Sequence, residues 1–423
     1  QFYFEPATFT FGDRVKANFA AYADQTFQSE DPITSDVPGK DVDFSDWPLG
    51  IAFQAASWHQ KFSVFDDSVA YVGGMNVKAG DWDTQYHLVF DYRRMNFDAT
   101  EAERVEVINK ERDTDSVPRK DYFLRIHGPA AQDAADIFKT RWDYQLAQGA
   151  DYAENSSAFT INRNIAPQPG GIPVQIAATM PEPFWEHAIA ETWLNAFRQA
   201  QDYVFIDDQY FRIPLLLDAL MEEMRQKPSL KLVVVILNID EWTDGGCYWT
   251  YDAHNKLMAE FPDRYSLFKL ATFDHVVTWG FDETESRYAD IYTHDKMLIV
   301  DDIFLSVGSA NKNNRGIIYE GEITATVLDS AWVKAQRRRI IANMVGPGYV
   351  ATDDSSNWYN QMITSATWND EVYTRWEDEN GDIDNGDGSG PLPALYTPSG
   401  FLYSYHPGST SDCFIEGIGP DLF

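Results

Sequence analysis

Residues 59–76 read HQKFSVFDDSVAYVGGMN and residues 294–311 read HDKMLIVDDIFLSVGSAN, so the pattern H-x-K-x4-D-x6-G-[GS]-x-N occurs twice in the chain. With each specified residue at roughly one in twenty, a chance match is on the order of 10^-8 per starting position. The repeat is therefore an internal duplication. After each Lys comes an alternating apolar run (Phe62, Val64; Met297, Ile299), then an Asp-Asp pair, then a second run ending in glycine. That grammar predicts a β-hairpin with its turn at Asp66-Asp67 or Asp301-Asp302. Residues two apart on a strand share a face, so His59 projects with Lys61 and His294 with Lys296. Two such hairpins facing each other would bring two imidazoles and two ammonium groups into one cleft.

Around the repeat the pattern is α/β. Segments 130–148 (Ile137, Phe138, Trp142 on one side), 182–200 (Trp185, Ile189, Trp193, Phe197) and 215–227 read as core-facing helices, and KLVVVILN from Lys231 reads as a buried strand. The stretch PQPGGIP at 167–173 is the natural boundary. The expected organisation is an N-terminal half over 1–172, a C-terminal half over 173–345, and an irregular acidic extension over 346–423. The two halves are expected to be similar α/β/α sandwiches related by a pseudo-twofold, with the active site at their interface.

Composition narrows the function. Apolar residues make up 44% of the 423 and charged residues 23%, which is globular. Asp plus Glu number 66 against 33 Lys plus Arg, and a net charge of -33 disfavours nucleic acid as a partner. No apolar run is long enough to span a bilayer, so a soluble protein without a transmembrane segment is expected. Cys247 and Cys413 suffice for one disulfide or are two buried thiols. High acidity, few cysteines and a sequon at Asn155-Ser156-Ser157 lean toward a secreted or extracytoplasmic protein.

Paired histidines and lysines suit phosphodiester cleavage without a metal. One neutral imidazole attacks phosphorus, a protonated one gives its proton to the leaving alkoxide, and positive charge stabilises the crowded oxygens. Lys61 and Lys296 supply that charge, and Asn76 and Asn311, each ending a glycine turn, can donate to the same oxygens. Asp66 and Asp301 complete the repeated motif. Their spacing puts them at the hairpin turns, where capping is the expected role. Each imidazole also needs a carboxylate partner to fix its tautomer. The other six histidines read as packed or solvated.

These two segments resemble the paired HKD motifs of the phospholipase D superfamily. The resemblance runs from about residue 50 to 330. It includes WHQK at 58–61, DWDTQYH at 81–87, RKDYFLRIHGPAAQDAADIFKTRW at 119–142, FIDDQYF at 205–211 and YTHDKMLIVDDIFLSVGSANKNNRG at 292–316. It implies hydrolysis of glycerophospholipids to phosphatidic acid and a free headgroup through a phosphohistidine, with alcohols able to replace water. In that picture His59 is the nucleophile, oriented by Asp121, and His294 the acid, oriented by Glu322 with Glu320 as the alternative. The lipid-binding modules of many eukaryotic relatives do not fit in the 58 residues before the first motif. Asn76 resembles bacterial members, so a compact, secreted bacterial enzyme with a eukaryotic-like core is expected.

Asp and Asn alternate in EDENGDIDNGDGSG from Glu377, making Asp378, Asn380, Asp382, Asp384 and Asp387 candidate calcium ligands, although no Glu closes an EF-hand. A solvated acidic loop is the competing reading. Calcium would be structural or lipid-bridging, since the chemistry itself needs no cofactor. The partner is a phospholipid at a micelle or membrane surface. Alternatives are a nuclease or other phosphodiesterase, a phospholipid synthase using the same residues, and a lipid-binding scaffold, which intact motifs argue against.

Overall fold

The computed structural model describes residues 58–108, 117–149, 157–181, 183–242, 244–277, 284–380, 389–390 and 397–413. The first motif folds as the expected hairpin, β1 (Phe62–Phe65) against β2 (Val69–Gly73), with Phe62 opposite Val72. After the two-residue β3 (Arg119–Lys120), β4 (Phe123–His127) pairs with the far edge of β2 and completes a three-stranded sheet.

The second sheet has eleven strands among the described residues. Its elements are β5 (Val174–Met180), β6 (Glu186–His187), β7 (Tyr203–Asp208), β8 (Lys231–Val235), β9 (Tyr265–Val277) and β10 (Thr284–Asp290), followed past β11 (Tyr292–Thr293) by β12 (Lys296–Val300), β13 (Phe304–Gly308) and β14 (Glu322–Leu328). β15 (Ser389–Gly390) and β16 (Leu402–Ser404) add at one end. The order is β15-β10-β9-β8-β7-β12-β13-β14-β5-β6, with β16 on β9 and β11 paired instead with β3. β7, β8 and β9 are parallel and the other pairs in this sheet are antiparallel. β7, β12 and β13 are buried along their whole lengths, as continuous apolar runs require.

The two hairpins match even in their turns: Asp66 and Asp67 take φ of 49° and 53°, Asp301 and Asp302 52° and 55°. Two consecutive left-handed residues make the tight turn whose twist suits a hairpin, and Asp tolerates it better than a branched residue would. Their surroundings differ. β1–β2 lies in a three-stranded sheet and β12–β13 at the centre of the large one, so among the described residues the halves are not of equal size. The sheets meet where Ala70, Val72, Ile126, Ala131 and Ala134 pack on Ile323 and Ala325.

The helices are α1 (Glu101–Ile108), α2 (Ala130–Ala147), α3 (Ala188–Gln199), α4 (Pro214–Gln226), α5 (Cys247–Glu260), α6 (Ser330–Val345) and α7 (Ser355–Asn380). Two sequence expectations need correction here. α3 starts six residues late: Pro181 and Pro183 hold the chain out of the helix, Trp185 sits at φ 50°, and β6 intervenes. Ile189, Trp193 and Phe197 are nonetheless buried as expected. On α2 the inward face is Ala131, Ala134 and Ala135, which permits close approach to the small sheet, while Phe138 stacks on Trp142 toward the surface.

Among the described residues, the C-terminal extension is not irregular. α7 runs for 26 residues and buries Trp358, Met362, Ala366, Val372 and Trp376 against the sheet, and β16 joins β9. Cys247, at the start of α5, is bridged to Cys413. Of the calcium candidates, Asp378 is exposed on the last turn of α7. The side chain of Asn380 and all of Asp382, Asp384 and Asp387 lie outside the described residues, as does Asn155. Among the described residues, no helix is long and apolar enough to cross a membrane.

Candidate active site

His59 reaches the large sheet through backbone. Trp58 bridges Gly321, and the His59 amide donates to the Gly321 carbonyl at 2.9 Å. A Cβ on Gly321 would lie 1.9 Å from the Trp58 ring, so this approach needs glycine. The contact sets His59 beside the next residue, with its Nδ1 2.7 Å from Glu322 Oε1. Ser309 Oγ donates to the other Glu322 oxygen, and Gln60 Nε2 donates to the Glu322 carbonyl at 2.9 Å.

His294 is held in the complementary way. Its amide donates to the Lys120 carbonyl at 2.9 Å, and its Nδ1 lies 2.7 Å from Asp121 Oδ2. The remaining Asp121 oxygen accepts from the Tyr122 amide at 2.8 Å. Gly74 leaves room for this carboxylate, since a Cβ there would come within 2.4 Å of Asp121 Oδ1.

Each histidine therefore takes its carboxylate from the other half of the chain, which corrects the expected pairing. Asp121 orients His294, and Glu322 orients His59. The physical reason is the pair of backbone bridges, which carry His59 to the β14 strand and His294 to the segment after β3. Glu320 is instead committed to Arg315, whose Nε donates at 3.1 Å.

The lysines repeat each other. Lys61 Nζ donates to the His59 carbonyl at 2.8 Å and Lys296 Nζ to the His294 carbonyl at 2.5 Å, with Gln209 Oε1 a further acceptor for Lys296 at 3.3 Å. Burial pushes Lys61 down to about 8, against the pull of Glu322, and Lys296 adds to the lowering. Burial also lowers Lys296. Both motifs therefore converge on one electrostatic neighbourhood, in which His294 is lowered by burial first and then by Lys296, Arg119, Lys61 and His59.

The carboxylates respond to the same desolvation. Burial raises Asp121 to about 7 and raises Glu322 as well. His294 and Asp121 form a pair whose buried surroundings favour zero net charge. With two protons, the pair can present an Nε2–H while Asp121 holds the proton facing Nδ1. The histidines differ in access, the His59 side chain being 26% exposed and that of His294 6%.

The remaining candidates separate. Asp66 and Asp301 stand at the far turns, each seven residues past its histidine, or roughly 23 Å along an extended chain at 3.3 Å per residue. Asp301 caps the amides of Gln201, Asp202 and Tyr203, and exposed Asp66 lies at its turn, so neither joins the histidine–lysine cluster. Asn76 is exposed and donates to Asp81 at 3.3 Å; Asn311 is buried, its Oδ1 without a hydrogen-bond partner. His59, Glu320 and Glu322 bring three donor atoms within 4.8 Å of one another. That set does not suit a metal: His59 and Glu322 already bond each other, and Arg315 engages Glu320.

Sequence reasoning missed Ser309 and Gln209. The signal for Ser309 was a difference between the copies, because it occupies the place that Gly74 holds in the first motif. Gln209 was visible only inside FIDDQYF.

A phospholipase D family model matches residues 24–169. The chain is 24% identical to phospholipase D A of Dictyostelium discoideum over 339 residues, covering 70% of this chain and 26% of that protein. It is 24% identical to cardiolipin synthase 2 of Staphylococcus epidermidis over 286 residues, covering 68% of this chain and 47% of the relative. The chain thus spans between a quarter and a half of the length of these two curated relatives. A solved phosphatidylserine synthase from Haemophilus influenzae aligns at 13% identity and a TM-score of 0.40, over 67% of this chain and 61% of that one. On the family match and these relatives, this chain is similar to the phospholipase D superfamily.

Proposed function

We propose that the protein is a phospholipase D that hydrolyses glycerophospholipids through a phosphohistidine on His59. The observation that carries this reading is the crossed pair of imidazole–carboxylate contacts beside half-buried Lys61 and buried Lys296, which gives one nucleophile and one acid/base with an anion-stabilising pair. His59 is the more accessible imidazole. With its Nδ1–H donated to Glu322, the Nε2 lone pair is free to attack phosphorus. The phosphorus–oxygen bond to the headgroup breaks, and the His294–Asp121 pair delivers a proton from Nε2 to the departing alkoxide. Lys61 and Lys296 offset the charge gathering on the phosphoryl oxygens, so this chemistry needs no metal.

In the second step a water oxygen attacks phosphorus while His294 takes its proton, and the electron pair of the N–P bond returns to His59. The headgroup has left before the acceptor arrives, so a small alcohol can replace water and yield a phosphatidyl alcohol. A synthase reading uses the same residues with a lipid hydroxyl as acceptor, and the cardiolipin synthase relative favours keeping it as the second reading. The Cys247–Cys413 bridge supports export, because disulfides persist in oxidising compartments.

The test is incubation with short-chain phosphatidylcholine and ethanol, expected to give choline, phosphatidic acid and phosphatidylethanol, with a denaturing quench and peptide mapping placing the phosphatidyl group on His59. Labelling confined to His294 reverses the roles. Cleavage of DNA with no lipid product sinks the lipase reading.

A further inference from the structure

We propose that Lys120 is a positioning residue for the second motif: its ammonium, clamped between Asp207 and Asp295, pins from behind the segment that presents His294 and Lys296. This rests on the reading of His294 as the acid/base. Lys120 is 5% exposed, its Nζ donates to both Asp207 Oδ2 and Asp295 Oδ2, and it lies 4.5 Å from the Tyr122 ring centroid. The residue between His294 and Lys296 is Asp295, and alternation along an extended segment puts its side chain on the face opposite theirs. A cation gripping Asp295 therefore fixes both functional side chains without touching substrate.

The backbone makes the same connection. β3 pairs with β11 in parallel, Thr293 opposite Lys120. The Lys120 carbonyl takes the His294 amide, and the very next residue is the Asp121 that meets His294 Nδ1. On the other side the Gln209 amide donates to the Asp295 carbonyl at 3.0 Å, and Gln209 then accepts from Lys296. One lysine thus ties together the ends of β3, β7 and β12.

Stability alone does not account for this cluster. Burying one cation with two carboxylates is costly, and packed apolar residues would often stabilise as well. Here Asp207 Oδ1 and Asp295 Oδ1 are also buried without hydrogen-bond partners. The first motif supplies an independent parallel. Its intervening residue is Gln60, and that too is gripped by a cation from the N-terminal half, Arg141 Nη1 donating to Gln60 Oε1.

The test compares D295N with D207N. Either leaves Lys120 with one carboxylate and the same charge, so a charge-balancing role affects both alike. The clamp instead predicts that D295N lowers kcat at least tenfold with KM within threefold on short-chain phosphatidylcholine, while D207N stays within threefold on both. The strongly deshielded proton in the hydrogen bond between Asp121 and His294 Nδ1, read by NMR, should vanish in D295N and persist in D207N. K120M should match D295N, and the K120M/D295N double variant should fall no further than either single change. Equal losses in D207N and D295N, or no loss in D295N, overturn the proposal, as does additivity in the cycle. If the wild type releases no headgroup, the functional reading has failed, and the NMR arm still decides the clamp.

Discussion

His59 and Lys61 stand two residues apart in the first motif, as do His294 and Lys296 in the second, and that periodicity was enough to group four candidate side chains from sequence. Their partners were not legible in the same way. Asp121 and Glu322 could be picked as carboxylates, but which imidazole each serves depends on the Trp58–Gly321 bridge and the His294–Lys120 bond, contacts between residues well over a hundred apart. The protonation of these groups is a consequence of burial and leads to a pH prediction. Under the proposed mechanism the His294–Asp121 pair must hold its proton for the leaving group, and burial raises Asp121 to about 7. The same mechanism needs Lys61 charged, and burial lowers it to about 8. Both requirements fail as pH rises, so log kcat/KM is expected to fall with slope -1 above about 7 and to approach -2 above about 8. Lys61→Arg keeps a charge that cannot be titrated away, so whatever it costs in rate, its profile should keep slope -1 through pH 9. A second break persisting near 8 in that variant would show that Lys61 is not its source.

The hairpins were readable because alternation and turn chemistry are local, and the two Asp-Asp turns appear where the repeat put them. α7 was missed for the opposite reason. Trp358, Met362, Ser365, Asn369, Val372 and Trp376 follow one helical stripe at spacings of four and three, but two of the six are polar and mask the pattern. Those two are buried for a purpose: Ser365 Oγ and Asn369 Nδ2 both donate to the Ser399 carbonyl, and Asn369 also reaches Leu402, fastening the chain that becomes β16. Trp358 meets Tyr203 edge-on at 4.9 Å, with the Arg337 guanidinium 5.5 Å from its ring. α7 is thus part of the core that backs β7. Trp358→Ala should lower unfolding free energy by about 3–5 kcal/mol, the range for a large aromatic lost from a packed interior. Chemical denaturation measures it, and a loss under about 1 kcal/mol, well below that range, would mark α7 as an accessory.

At the scale of the whole molecule the decisive quantity is the formal net charge of -33, which sequence composition supplies. Under the proposed activity, hydrolysis of a zwitterionic lipid leaves anionic phosphatidic acid in the same surface. The enzyme therefore builds up a field that repels its own long-range approach. Screening decides how far this reaches, since the Debye length is about 30 Å at 0.01 M salt and about 8 Å at 0.15 M. Progress curves on phosphatidylcholine vesicles should accordingly flatten early at low salt and straighten as sodium chloride is raised. Vesicles already doped with phosphatidylglycerol should show a slow initial rate at low salt that recovers by roughly tenfold at 0.15 M, the lower end of what charge steering changes in encounter rates. Monomeric short-chain substrate, which presents no charged surface, should be nearly indifferent to salt. Tighter binding to anionic vesicles at low salt would contradict the argument and locate a basic contact surface that outweighs the overall charge.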